Sequence, residues 1–196
     1  LHYQPVVRTD DNVVVAFEAL MRWDHPERGP IGPNVFVPIA EESDLINGIG
    51  AWALNRACMD AMAWPKSVRV AVNVSAAQFA HAELIDTVAH ALRTSGLDPD
   101  RLELELTESV FMGDFETIDD IFRALKDLGV RLALDDFGTG YSSLSYLRSA
   151  PFDKIKVDRT FVESCTQKDQ NSAKIIAAII SLSDALGMET TVEGVE

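Results

Sequence analysis

Six times along this chain an apolar, β-rich run ends in a polar or charged residue. The ends are Glu18, Asn73, Glu105, Asp135, Lys156 and Glu193. This repetition constrains the fold strongly, because a parallel sheet gathers its strand ends on one side. Strands are predicted at residues 3–8, 13–20, 68–74, 102–107, 131–136, 153–157 and 189–195. Amphipathic helical segments lie between most of them, at 35–46, 48–64, 83–94, 115–128 and 171–186. Ser75 is placed to cap a helix N-terminus, and Gly96 and Gly129 to end helices. Strands alternating with helices read as βα units around a parallel sheet.

The first two strands differ, since only residues 9–12 join them. A parallel crossover needs about a dozen residues or more, so this pair is expected to be an antiparallel hairpin. The fold class is therefore α/β: a (β/α)8 TIM-like barrel with one antiparallel strand. Such barrels typically take about 250 residues. With 196 residues and seven strands, the barrel reads as truncated at its C-terminal end. Residues 1–196 are expected to form one domain that lacks the last strand region and belongs to a longer protein.

Composition excludes several classes. No apolar run approaches the roughly 18 to 20 residues that span a bilayer, and nothing resembles a signal peptide. No membrane contact is expected from this segment; a membrane anchor would lie elsewhere in the parent protein. Cys58 and Cys165 match no metal spacing and read as idle thiols in a reducing, cytoplasmic setting. The net charge of -14 argues against a nucleic-acid polymer as partner. A small phosphate ligand would need bound cations to reverse the local field.

Period-two alternation says which residues share a face. Ala16 precedes Glu18, Ala71 precedes Asn73, Ala133 precedes Asp135 and Thr191 precedes Glu193. The other face carries Val13, Val15 and Phe17, then Val70 and Val72, then Leu132 and Leu134. Small residues thus line the inside beneath a polar top layer, where βα barrels place their active sites. Glu103 and Lys154 break the small-residue rule and are expected to compensate one another inside the barrel.

Asp135 and Asp136 are adjacent acids at one strand end, followed by Gly138-Thr139-Gly140. Such a pair is costly unless a cation compensates it. The convergent set of Glu18, Asn73, Glu105, Asp135, Asp136, Glu193 and Lys156 is rich in oxygen and holds no His or Cys. It suits Mg²⁺ or Mn²⁺ better than Zn²⁺. Two ions bridged by one acid would activate a water and stabilise a phosphodiester in in-line displacement. Lys156 would orient that water or neutralise a phosphoryl oxygen. A single acid of this kind is ordinarily a solvated strand end or an ion-pair partner; six coincident ends are not.

Other conspicuous residues read as structural. The four histidines share no ligand spacing. Trp23 is expected to pack in the core, and the acids of 116–127 to form a wet helix face. Ser142 and Ser143 lack a His base and read as helix caps.

At this point the residues resemble a family, the EAL domains, bacterial cyclic di-GMP phosphodiesterases. The resemblance rests on Glu18-Ala19-Leu20 with Met21-Arg22-Trp23, preceded by Tyr3-Gln4-Pro5 and followed by Phe36-Val37-Pro38-Ile39-Ala40-Glu41. Asn73-Val74-Ser75, Glu105-Leu106-Thr107-Glu108, Asp135-Asp136-Phe137-Gly138-Thr139-Gly140, Lys154-Ile155-Lys156-Val157-Asp158 and Glu193-Gly194-Val195-Glu196 follow in order. Asp44 and Val192 are mild departures.

The resemblance implies hydrolysis of cyclic di-GMP to linear pGpG with Mg²⁺ or Mn²⁺, and Ca²⁺ as a non-supporting ion. It implies Glu18, Asn73, Glu105 and Asp135 as ligands of one metal, and Asp135, Asp136 and Glu193 as ligands of the second. Lys156 matches the lysine beside the attacking water, and Glu196 a second glutamate near the site. Gln4, Leu20 and Arg22 match substrate contacts. Glu108 matches an anchor of the loop after Asp136, a region implied in homodimer formation and regulation. A sensor or GGDEF-type domain is expected elsewhere in the parent chain. Some members of this family have lost catalysis and act as cyclic di-GMP receptors or scaffolds, which is the alternative reading.

Overall fold

The computed structural model describes residues 1–112, 115–138, 147, 150–166 and 170–195. Seven strands form one sheet: β1 (His2–Val7), β2 (Val14–Leu20), β5 (Arg69–Asn73), β6 (Leu102–Thr107), β7 (Arg131–Phe137), β8 (Lys154–Val157) and β9 (Glu189–Val192). β3 (Trp23–His25) and β4 (Gly29–Ile31) make a separate small hairpin. The helices are α1 (Pro33–Glu42), α2 (Leu45–Ala61), α3 (Ala76–Phe79), α4 (Glu83–Ser95), α5 (Phe115–Asp127), α6 (Arg159–Thr166) and α7 (Gln170–Leu186). β1 and β2 pair antiparallel, as the short connection requires, and every other neighbour in the large sheet pairs parallel. The sheet curls as a partial TIM-like barrel.

The two faces of each strand meet different partners. Val70, Val72, Leu104, Leu132, Leu134 and Ile155 pack outward with Leu54, Val88, Phe122 and Leu125 of the helices in one continuous core. Ala16, Ala71 and Ala133 are just as buried but lie outside that cluster, on the inner face. Ser75 caps α3 through a reciprocal capping box with Gln78, which fixes the chain just after Asn73. Arg101 is buried and donates to the carbonyls of Ala61 and Val68 at 2.8 and 2.9 Å. It satisfies the C-terminal end of α2 and ties it to the entry of β5.

A charge network occupies the strand starts. Lys154 Nζ lies 2.5 Å from Glu103 Oε1, the compensation expected from sequence. Glu189, opening β9, is bridged by Arg69 of β5 at 3.1 Å and Arg131 of β7 at 2.9 Å. Arg69 and Glu189 sit four strands apart in sheet order, about 19 Å in a flat sheet at the usual strand spacing. Their contact reflects the curl. Asp153 fixes the neighbouring register: its amide donates to the Leu132 carbonyl and its Oδ2 accepts from the Leu132 amide, both at 2.8 Å.

Several expectations need correction. The helix at 35–46 is two elements, broken at Ser43 and Asp44. Ser43 Oγ turns back to the Ile39 carbonyl at 2.6 Å, and Asp44 adopts φ 58°, so the helix cannot continue. β9 ends at Val192 rather than Val195, with Gly194 at φ 74° beyond it. Trp23 is not core: it is 44% exposed on β3, edge-on to Phe36. Asp119 and Asp120 do form a wet face, paired with Arg123.

Candidate active site

Curling brings the opposite strand ends together on Lys156. Its Nζ lies 2.8 Å from Glu193 Oε1, 2.9 Å from Glu105 Oε2, 3.0 Å from Asp135 Oδ2 and 3.5 Å from Glu18 Oε2. These groups come from β2, β6, β7, β8 and the residue after β9. Lys156 is 2% exposed, as is Glu105. Asn73 donates to Glu18 Oε1 at 2.8 Å, so the amide orients the carboxylate. Glu105 Oε2 is buried and has the ionic contact with Lys156 but no hydrogen bond. Six of the seven residues predicted to converge thus form one connected cluster, and the seventh, Asp136, adjoins it.

Asp136 needs a special backbone. Strict alternation would turn it away from Asp135. Instead the β7/β8 register shifts between Leu134 and Phe137, and Asp136 adopts φ 53°. Bulges of this kind re-aim side chains beside functional sites. The Asp136 amide donates to Asp135 Oδ1 at 2.9 Å.

The electrostatics are those of a crowded acid layer. Burial pushes Glu105 well above the usual carboxylate range; Lys156 opposes this, while Glu18 and Asp135 reinforce it. Burial, then Asp135, Asp158 and Glu193, push Asp136 up to about 6. Glu193 is also raised, by burial first, against the pull of Lys156. Burial works against the Lys156 charge, yet Glu105, Asp135, Glu18 and Glu193 together hold its pKa above the ordinary lysine value. Asp158 goes the other way: burial would raise it, but hydrogen bonding with Thr160 and Asp136 and the charge of Arg159 outweigh burial and lower it.

The remaining predicted residues are placed unevenly. Gln4 stands directly opposite Glu18 in the β1/β2 register. Leu20 ends β2, and Arg22 is exposed just beyond it, its guanidinium donating to the Met21 carbonyl at 2.9 Å. Glu108 Oε1 accepts from the Gly138 amide at 3.0 Å, which ties down the start of the loop after β7. Glu196, Ser142, Ser143, Thr139 and Gly140 lie outside the described residues. Sequence reasoning gave no role to Asp158. It stands two residues after Lys156, so period two would have placed it beside the same layer.

Among the described residues no three His, Cys, Asp or Glu side chains already stand as a metal-ligand set; the acids close on the ammonium instead. The donor chemistry nevertheless suits a hard divalent cation. It is all oxygen, and one buried carboxylate oxygen, Glu105 Oε2, lacks a hydrogen bond.

The EAL domain family model matches residues 1–196. The chain belongs to the EAL domain family. An uncharacterized signaling protein of Caulobacter vibrioides is 51% identical to this EAL domain over the whole chain, which spans 24% of that relative. The bifunctional diguanylate cyclase/cyclic di-GMP phosphodiesterase MucR of Pseudomonas aeruginosa is 43% identical, with 29% of its length covered. The chain thus spans about a quarter of the length of these relatives. The solved structure of the PaMucR phosphodiesterase in complex with c-di-GMP superposes with a TM-score of 0.94 at 43% identity, covering 100% of this chain and 80% of that one. Among the described residues no helix of the EAL domain is long and apolar enough to cross a membrane.

Proposed function

We propose that this EAL domain hydrolyses one phosphodiester of cyclic di-GMP to linear pGpG, using two divalent cations, Mg²⁺ or Mn²⁺. One observation carries the reading: the charge imbalance of the site. Glu18, Glu105, Asp135, Asp136 and Glu193 bring five carboxylates to one ammonium, Lys156. Fully ionised, they leave four negative charges, which two divalent cations would cancel. The bound nucleotide in the PaMucR structure supports the substrate.

Glu18, Asn73, Glu105 and Asp135 would hold one ion, and Asp135, Asp136 and Glu193 the other. When bound, the ions supply an acidified water and a counter-charge for the phosphodiester. The chain's own groups do the rest. Asn73 keeps Glu18 oriented. Lys156, kept protonated by its acid neighbours, donates to the attacking water or to a phosphoryl oxygen. Glu196 is assigned as a second glutamate of the site. Gln4 and Leu20 contact the substrate, and the exposed guanidinium of Arg22 suits a phosphate. Glu108 secures the loop after β7, the region assigned to homodimer contact. The parent chain is assigned a cytoplasmic catalytic end and a further sensor or cyclase domain, as the name of MucR suggests for a relative.

The test is hydrolysis of cyclic di-GMP by the full-length protein with Mg²⁺, Mn²⁺, Ca²⁺ or chelator, with the product identified. Formation of pGpG with Mg²⁺ or Mn²⁺, but little with Ca²⁺ or chelator, is expected. Ca²⁺ should bind and fail because its looser coordination misplaces the reacting groups. Tight nucleotide binding without product would replace this reading with that of a receptor.

A further inference from the structure

The first turn of α6 meets both strand-end loops that flank the acid layer. Gly138 directly follows β7. A Cβ there would lie 2.9 Å from Phe161 Cζ and 3.0 Å from Cε2. Gly194 directly follows Glu193. A Cβ there would lie 2.9 Å from Arg159 Cβ and 3.4 Å from its Cα. Both glycines therefore sit against one helical turn with no room for a side chain.

A third contact joins the same turn to the layer. Asp158 accepts from the Thr160 amide at 3.0 Å and stands close enough to Asp136 for their charges to interact. Its carbonyl accepts from the Phe161 amide at 3.2 Å. Phe161 in turn packs against the main core, with Ile179 of α7 also facing the Gly138 position. The turn is thus anchored on the core and packed against Gly138 and Gly194.

We propose that this turn is a clamp: Phe161 beneath Gly138 and Arg159 beside Gly194 set the separation between the Asp135–Asp136 strand end and Glu193. Phe161 is a positioning residue. It touches the Gly138 loop and acts through it on the acids that the proposed hydrolysis requires. The inference rests on that reading for its catalytic consequence but not for the coupling of the two loops. Packing alone would make Phe161 a core residue whose loss lowers stability and nothing else. A clamp makes two loops, 56 residues apart in sequence by their glycine numbers (194 minus 138), loosen together.

The decisive variant is Phe161→Ala in the full-length protein, with Phe161→Leu as the conservative partner. Phe161→Ala should lower kcat about tenfold while KM for cyclic di-GMP stays within about threefold, because misplacement of the reacting groups costs rate more than binding. The Mn²⁺ concentration for half-maximal binding should rise, and Phe161→Leu should recover most of both effects. Amide hydrogen exchange reads the clamp without any chemistry. The Gly138 amide donates to Glu108 and the Glu193 amide to the Val157 carbonyl. Both should exchange faster in Phe161→Ala, and to a lesser degree in Phe161→Leu. The Gly96 amide, bonded to Leu92 at the end of α4, should not change. Faster exchange at Gly138 alone, or a lower Tm with kcat and both amides unchanged, would overturn the clamp. An inactive wild-type protein would defeat the proposed reaction, and the paired exchange would still decide the coupling. If Phe161→Ala does not fold, the Phe161→Leu exchange pattern decides it.

Discussion

Two charge layers stand inside this barrel, and they are balanced differently. At the strand starts, Arg69, Arg131 and Lys154 face Glu103 and Glu189, an excess of one positive charge. At the strand ends, five carboxylates face Lys156, an excess of four negative charges. The lower layer nearly neutralises itself, so its charges hold the curl of the sheet and need no partner. The upper layer does not, and it is the layer that the proposed cations would neutralise. Buried charge by itself therefore does not mark a function here; uncompensated buried charge does.

The comparison breaks most directly at Glu18. Glu18→Ala should cut turnover about a thousandfold or more by removing a proposed ligand, with little change in Tm because one acid of a crowded set is gone. Unchanged activity would defeat the metal assignment. The counterpart below is Glu103→Leu. It leaves three cations facing Glu189 alone and should cost about 3 kcal/mol of stability, read from denaturant midpoints. Activity per folded molecule should persist. Adding Lys154→Met should recover part of the loss, and a double variant no better than the single one would mean the pair is not coupled.

Lys156→Ala should lower kcat about a hundredfold while changing nucleotide affinity far less. A pure binding loss would contradict its proposed place beside the reacting centre. Its stability cost in chelator should shrink when Mg²⁺ is added, because the removed ammonium is the buried cation of the layer.

The smallest effect separates the layers by pH. Asp136 has a folded pKa raised from 3.8 to about 6. Its contribution to stability is present below its unfolded pKa and lost as pH rises through about 6. Glu189 has the opposite sign. Burial would raise it, but the Arg69 hydrogen bond and the charges of Arg69, Arg131 and Lys154 lower it. Its contribution is present above 4.5 and lost as pH falls through the lowered value. In chelator, Asp136→Asn should flatten the fall in midpoint between pH 4 and 6, and Glu189→Gln should flatten the acid arm below it. Asp136 is partly exposed and Glu189 exposed, so shifts well under those of the charge-removing variants are expected. Identical pH profiles for the two variants would erase the distinction.

The barrel and most of the site were legible in the sequence because both rest on short-range periodicity. Alternation with period two separated Ala71 and Ala133 from Val70 and Leu132, and it marked Glu103 and Lys154 as a pair. The four-residue connection fixed the hairpin. What escaped was set by local backbone exceptions. The break at Ser43–Asp44 depends on a side chain bonding back to its own helix. The bulge that keeps Asp136 near the layer depends on the pairing with β8, which no window of sequence contains. The helix at Arg159–Thr166 follows Lys156 so closely that no helix was predicted there. Asp158 was missed with it, although its spacing from Lys156 was available.

The two layers are also copies of each other in residue type on some strands. β6 carries Glu103 and Glu105, and β8 carries Lys154 and Lys156, each pair separated by one residue. A slip of two residues along either strand would keep every side chain on its proper face and would still set lysine against glutamate. Hydrophobic patterning resists that mispairing only at the strand ends, where a slip of β8 would carry Asp153 or Arg159 into the buried position of Ile155 or Val157. On the β7 side of β8, the task falls to Asp153, whose amide and carboxylate grip Leu132 and whose carboxylate also binds Lys126 at 2.9 Å. One residue that belongs to neither layer thus serves as the alignment key by which the folding chain tells the two lysines apart.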